Sequence, residues 1–261
     1  MKIEIIYGEL ANLLGEHGSQ ELLRRSFGED SLIRTPFPDR PAFMDQDVDL
    51  VYMGPMTERT QRLVLEHWRK DKEAFRQAID RDVVLFLAGN ALDLVGRTIR
   101  YVGRETVEAL GLYPFDTVCQ PYDRFNQVVS GFFDSMPVMG FRSQFTTHTG
   151  DAGAFPLLRI TRGRGMNVDT QVEGIRDRNF FATDLLGPFL ILNPDFTRLL
   201  FKEAGFSGEL PFEEQMRKAA EIRFQDFEQT FYKKKKSPRL LQTYLQKENE
   251  ILGPAKDKDK G

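Results

Sequence analysis

Two short apolar runs that end in glycine and pass straight into helical sequence constrain this chain more than anything else in it. "VDLVYMG" (Val48–Gly54) leads into "PMTERTQ", and "VVLFLAG" (Val83–Gly89) leads into "NALDLVG". Near-continuous apolar strands suit a parallel sheet buried on both faces. The surrounding segments supply the rest of such a sheet. "KIEIIY" (Lys2–Tyr7) reads as a first strand, and "SQELLRRSF" (Ser19–Phe27) as a helix with Leu22, Leu23 and Phe27 on one face. "SLIRTPF" is a weak strand before Pro38. A single long helix is predicted from Glu58 to Asp80, because Val64, Trp68, Phe75 and Ile79 share a face. A further helix is predicted after Gly89, with Ala91, Leu92 and Val95 turned inward. This β-α-β order predicts a parallel sheet with helices on both faces.

The second half is different. "GLYPFDTVCQ", "NQVVSGFFDS", "PVMGFRSQFTT", "LLRITRG" and "NFFATDLLG" are short strand-like runs separated by turn signals. They predict an antiparallel or mixed extension of the sheet. Helices then follow over Asn193–Gly205, Pro211–Lys236 and Ser237–Leu252, with Ser237 as N-cap and Pro238 at the first helical position. Lysines 233–236 close the second of these and complement its dipole. The tail "GPAKDKDKG" is polar.

Composition narrows the function classes. A net charge of −3 gives no basic field for nucleic acid. No apolar run approaches the roughly 20 residues of a membrane helix. One cysteine, Cys119, rules out an intrachain disulfide framework, and no CxxC pair points to zinc. His17, His67 and His148 are scattered, without metal-ligand spacing. No metal or cofactor is expected. A reducing cytoplasm is the expected compartment.

The two glycine-ended strands also place the candidate site, because open α/β sheets bind ligands beyond the carboxyl ends of their strands. Gly54 and Gly89 would let a ligand approach the backbone closely, and helix-opening amides favour an anion or a developing oxyanion. The plainer reading is that both glycines only make tight turns. In many α/β enzymes such a turn carries a nucleophile. Here the strand ends on Ala88, which has none.

In order and spacing these segments resemble the class I glutamine amidotransferases, within them the cobyric-acid-synthase-like group, which includes the amidotransferase subunit of lipid II isoglutaminyl synthase. The resemblance covers roughly residues 1–206. "VDLVYMGPMTERTQ" resembles the family's glycine-rich oxyanion loop. "VVLFLAGNALDLVG" resembles its strand–Cys-Gly-Gly–helix elbow, and "GLYPFDTVCQ" the segment "GLGLLDxxT". "VMGFRSQFTTHTGD" resembles "VGFENHGG", and "FFATDLLGPFLILNPDFTRLLF" resembles "xxGTYLHGPxLxxNPxLxxxLL".

The resemblance implies a three-layer α/β/α sandwich with a mixed sheet. It implies an amidotransferase-like domain over 1–206, a C-terminal helical arm over 207–252 and a polar tail over 253–261. In the family a cysteine attacks the carboxamide of glutamine, a histidine takes its proton, and elbow amides receive the oxyanion. The position matching the cysteine is Ala88, and that matching the histidine of "LHGP" is Leu186. The Tyr-Gln after the elbow becomes Ala91-Leu92, and an arginine on the substrate side becomes Gln127. No substitute triad is evident. Cys119 reads as a small buried or edge residue, His148 as a solvated loop histidine, and Ser130, Ser135 and Ser143 lack a histidine partner. The expectation is a catalytically inactive relative that keeps a vestigial pocket at Gly54, Gly89, Leu92, Gln127 and Arg142. It would serve as partner or scaffold for a Mur-ligase-like or other amide-forming synthetase. Two alternatives stand beside it: a glutaminase subunit, of cell-wall or cobalamin type, active only in complex, and a module binding a small ligand in the old pocket.

Overall fold

The computed structural model describes residues 1–120 and 123–234. The chain divides into two compact units, Met1–Arg217 and Lys218–Gly261. In chain order the elements are β1 (Ile3–Ile6), α1 (His17–Phe27), β2 (Leu32–Thr35), β3 (Leu50–Met53), α2 (Glu58–Trp68), α3 (Lys72–Asp80) and β4 (Val84–Ala88). A stretch of short strands follows: β5 (Thr98–Tyr101), β6 (Thr106–Glu108), β7 (Phe115–Cys119), β8 (Phe125–Phe133), β9 (Met136–Gln144), β10 (Thr146–Gly150), β11 (Pro156–Arg162), β12 (Val172–Asp177) and β13 (Phe180–Thr183). Helices α4 (Phe189–Leu192), α5 (Pro194–Glu203) and α6 (Glu213–Lys234) complete the described chain. The predicted helix over Ser237–Leu252 and the polar tail lie outside the described residues.

Nine strands form the main sheet in the order β2-β1-β3-β4-β13-β12-β11-β8-β9. From β2 through β13 neighbours run parallel. From β13 through β9 they run antiparallel, which is the expected mixed extension. A second sheet, β10-β7-β5-β6, was not foreseen as a separate body.

Successive side chains on a strand face opposite sides of a sheet, and this sorts the core into two layers. Leu85 and Leu87 of β4 join Val64, Trp68, Phe75 and Ile79 from α2 and α3, together with apolar residues of the second sheet. Val84, Phe86 and Ala88 face the other way, into Leu22 and Leu23 of α1, Phe189 of α4 and Phe196 and Phe201 of α5. The three-layer α/β/α architecture is therefore present, with the small sheet packed beside α2 and α3.

Two predicted helices differ. The run over 58–80 is broken by a 3-10 turn at Arg69–Asp71, so Val64 and Trp68 sit on α2 while Phe75 and Ile79 sit on α3. The apolar period survives because all four residues reach the same core. The segment after β4 is a 3-10 helix, Gly89–Val95, rather than an α-helix. Six of its seven residues are buried, and at seven residues it is longer than most 3-10 pieces.

Phe86 lies at the centre of the α1/α4/α5 layer, 5.4 Å from the Phe189 ring, 5.9 Å from Phe196 and 6.1 Å from Tyr52. Phe86→Ala should destabilise the chain by about 3–5 kcal/mol, read as a lower urea midpoint with an unchanged m-value.

Candidate functional site

The apex of the strand-to-helix turn is Gly89, one residue beyond the position expected from sequence. Ala88 keeps extended geometry, φ −113° and ψ 145°, and packs in the α1/α4/α5 core. Gly89 has φ +61°, the left-handed conformation that glycine adopts without strain. Asn90 ties the turn to the loop after β3: its Oδ1 accepts from the Met56 N–H at 2.9 Å, and its Nδ2 donates to the Met56 carbonyl at 2.8 Å.

Gly89 opens onto a cleft of about 190 Å³. Pro55, Met56, Thr57 and Glu58 form one wall, where α2 begins. Ser143, Gln144, Phe145 and Thr146 form another, with Asp184, Leu186 and Arg124 beside them and Leu13 and Leu14 at the rim. Arg124 lies 4.4 Å over the Phe145 ring and donates to Ser143 Oγ at 3.0 Å. Leu14 has φ +57° and is among the most exposed large apolar residues.

The apex is crowded on the side a Cβ would take. A Cβ placed on Gly89 would stand 2.7 Å from Pro55 Cβ and 2.8 Å from Leu186 Cδ2. The backbone of Leu186 is itself fixed, since Leu186 and Phe141 exchange backbone hydrogen bonds of 2.8 and 2.9 Å. The next residues are pinned by the buried Glu16: its Oε1 accepts from the N–H of Gly187 at 2.8 Å and of Phe189 at 2.9 Å. Ser19 and Tyr52 hydroxyls donate to its Oε2.

The other residues singled out in sequence are spread more widely. Gly54 approaches the Ala11 carbonyl so closely that a Cβ would fall 2.4 Å from that oxygen, and it does not line the cleft. Leu92 is fully buried in the α2/α3 core. Gln127 lies on β8, accepts from the Arg164 N–H at 3.1 Å and does not line the cleft. Arg142 is buried behind the cleft in a polar network. Cys119 is buried on β7.

His148 corrects the sequence expectation most strongly. It lies on β10, wholly buried, not in a solvated loop. Its Nε2 is 2.8 Å from Asp93 Oδ1, and its Nδ1 is 3.2 Å from the Met166 carbonyl and 3.5 Å from Asp184 Oδ2. Asp93 also accepts from Thr117 Oγ1 and Gln61 Nε2. Arg142 reaches Asp184 and Glu173, both at 3.4 Å, and donates to the carbonyls of Arg164 and Gly165. Glu173 accepts from Thr183 Oγ1 and from the Asp184 N–H. Three carboxyls thus share a buried space with one guanidinium and one imidazole. Single hydrophilic letters inside apolar strand patterns, Glu173 in "VEGIRD" and Asp184 in "FFATDLLG", are the signal that could have revealed it.

Donor atoms of Asp93, His148 and Asp184 lie within 4.8 Å of one another. The imidazole is already hydrogen-bonded to Asp93 and a guanidinium sits against Asp184, so these groups satisfy each other as an ion-pair network rather than as a metal cage. Burial opposes a charge on His148, but Asp184 and Asp93 outweigh it and raise its pKa above the ordinary 6.5. Burial pushes the Glu173 carboxyl up to about 7 against the pull of Arg142. Burial raises Asp184 as well, with His148 and Arg142 opposing.

No family model matches the chain. It is homologous to two curated subunits. It is 27% identical over 168 residues to the lipid II isoglutaminyl synthase (glutamine-hydrolyzing) subunit GatD of Staphylococcus aureus, covering 64% of this chain and 68% of the relative. It is 24% identical over 224 residues to the subunit of the same name from Streptococcus pneumoniae, covering 81% and 85%. Among solved structures, PurLQS from Thermotoga maritima aligns with a TM-score of 0.49 and 9% identity, over 85% of this chain and 98% of that one. No helix among the described residues is long and apolar enough to cross a membrane.

Two outcomes follow from the network. His148→Ala leaves Asp93 and Asp184 without their shared cation and should cost about 3–5 kcal/mol, measured by denaturant unfolding. Glu173 has a folded pKa of about 7, above its ordinary 4.5. As pH rises between these values the unfolded chain releases this proton first, so its contribution to stability falls over that interval. Glu173→Gln should flatten the fall in a series of melts from pH 4.5 to 7.

Proposed function

We propose that this chain occupies the place of a glutaminase subunit beside an amide-forming synthetase, without hydrolysing glutamine through an elbow nucleophile. Homology to the glutamine-hydrolyzing GatD subunits supports the subunit role. The inactive half of the reading rests on one observation: the elbow apex is glycine, and its Cβ position is filled by Pro55 and Leu186. Thiol attack needs a side chain projecting from that point and a base within hydrogen-bond reach of it. The nearby Leu186 offers neither proton nor lone pair, and the neighbouring Ala88 methyl is spent in the opposite core layer.

The partner this reading favours is a Mur-ligase-like synthetase. The chain would contribute a docking body rather than ammonia. The cleft, with Arg124, Glu58 and Asp184 around an apolar Leu186, remains able to hold a small polar ligand.

The purified full chain, alone and with its synthetase, should release no glutamate from glutamine above the buffer blank. Glutamine hydrolysis that co-elutes with the chain and disappears in Asp184→Asn would overturn the reading. Gly89→Cys alone should also stay inactive and lose stability, because its Cβ would crowd Pro55 and Leu186. A thermal-shift screen of small polar metabolites tests the ligand role, and stabilisation grows with ligand concentration when binding is specific.

A further inference from the structure

The geometry points to His148 as a proton-held latch: its imidazolium ties the 3-10 segment after Gly89 to the segment carrying Leu186, and loss of that proton loosens the cleft wall. This holds whether or not the cleft turns over any substrate.

Hydrogen counting at the ring carries it. Nε2 faces Asp93 Oδ1 at 2.8 Å. Nδ1 faces the Met166 carbonyl at 3.2 Å and Asp184 Oδ2 at 3.5 Å. While Asp184 is ionised every neighbour is an acceptor, so both nitrogens then carry hydrogen. A neutral imidazole has only one N–H. With the hydrogen on Nε2, a bare Nδ1 lone pair faces two oxygens. With it on Nδ1, a bare lone pair faces Asp93. Either tautomer turns one attractive contact into a repulsive one inside a buried site, where water cannot compensate.

The groups around the ring come from several elements. Asp93 belongs to the 3-10 segment and is held by Thr117 of β7 and Gln61 of α2. Asp184 follows β13 and is held by Arg142 of β9, which also meets Glu173 of β12. The Phe115 ring of β7 lies edge-on to the imidazole, with centroids 5.3 Å apart. Arg142 supplies a second cation to Asp184 and Glu173, while Asp93 has no cation but His148 among the described residues. The Asp184 contact is the longest of the three at the ring. It is the one that yields first, and Asp184 stands two residues before Leu186.

Hydrogen exchange on the full chain, with histidine-selective nitrogen NMR, tests the latch. Below neutral pH both His148 ring nitrogens should be protonated. As pH rises and the imidazole titrates, protection of the Leu186 N–H, corrected for intrinsic exchange, should fall about tenfold, a magnitude typical of local opening. It should fall with the same midpoint while amides of β4 keep theirs. Asp184→Asn should abolish the transition, because the amide can turn a donor toward a bare Nδ1. Glu173→Gln should retain it. An imidazole that titrates with flat Leu186 protection, one that is neutral below neutral pH, or one that keeps its proton until the chain unfolds would each overturn the latch. Should Asp184→Asn fail to fold, the wild-type comparison of midpoints decides alone.

Discussion

The segment from Thr183 to Phe189 is held from both ends by buried carboxyls, and the cleft takes its shape from that grip. Glu173 accepts from Thr183 Oγ1 and the Asp184 N–H, and Glu16 accepts from the N–H groups of Gly187 and Phe189. A buried backbone N–H left unpaired costs about 1–3 kcal/mol. Several such groups, clustered where β13 leaves the sheet, need acceptors from elsewhere. Glu16 lies 171 residues earlier in the chain than Gly187. This pairing therefore fixes the entry of α1 against the exit of β13, and with it the position of Leu186 over Gly89.

Much of the frame was legible because hydrophobic periodicity is local. β3 and β4 read as buried parallel strands from their apolar letters, and α1 from its amphipathic spacing. What escaped depends on distance in sequence. Whether His148 is solvated or buried is decided by residues as remote as Asp93, 55 positions away. Nothing in "TTHTGD" carries that. The second sheet was missed for the same reason: β7 pairs with β5 in parallel and β10 in antiparallel, contacts that short strand-like runs do not specify.

The elbow shows how a sequence reading can be displaced by one residue in geometry. The apolar run suggested its last side chain, Ala88, as the turn residue. Strand alternation sends Ala88 the same way as Val84 and Phe86, into the α1/α4/α5 core. The left-handed conformation falls instead on Gly89. Position in the backbone, not the last letter of the apolar run, decides which residue would face a ligand. At Gly89 there is no side chain, and a Cβ there would meet Pro55 and Leu186.

Asp184 and Leu186 both line the cleft, while Leu185 between them packs in the opposite core layer, so close to Gly140 that a Cβ there would stand 2.7 Å from its own. That alternation is the period of two of an extended chain. It places the charged group that answers to His148 and the apolar group that covers Gly89 on one side of one short segment. A slip of a single residue would put Leu185 over the cleft and turn Asp184 into the aromatic core, an uncompensated charge among Phe181, Phe189 and Phe196. The cover over the apex and the ionic contact beneath it are therefore not separable features. Whatever moves Asp184 moves Leu186, and this is why a proton on one buried ring can reach the wall of the cleft.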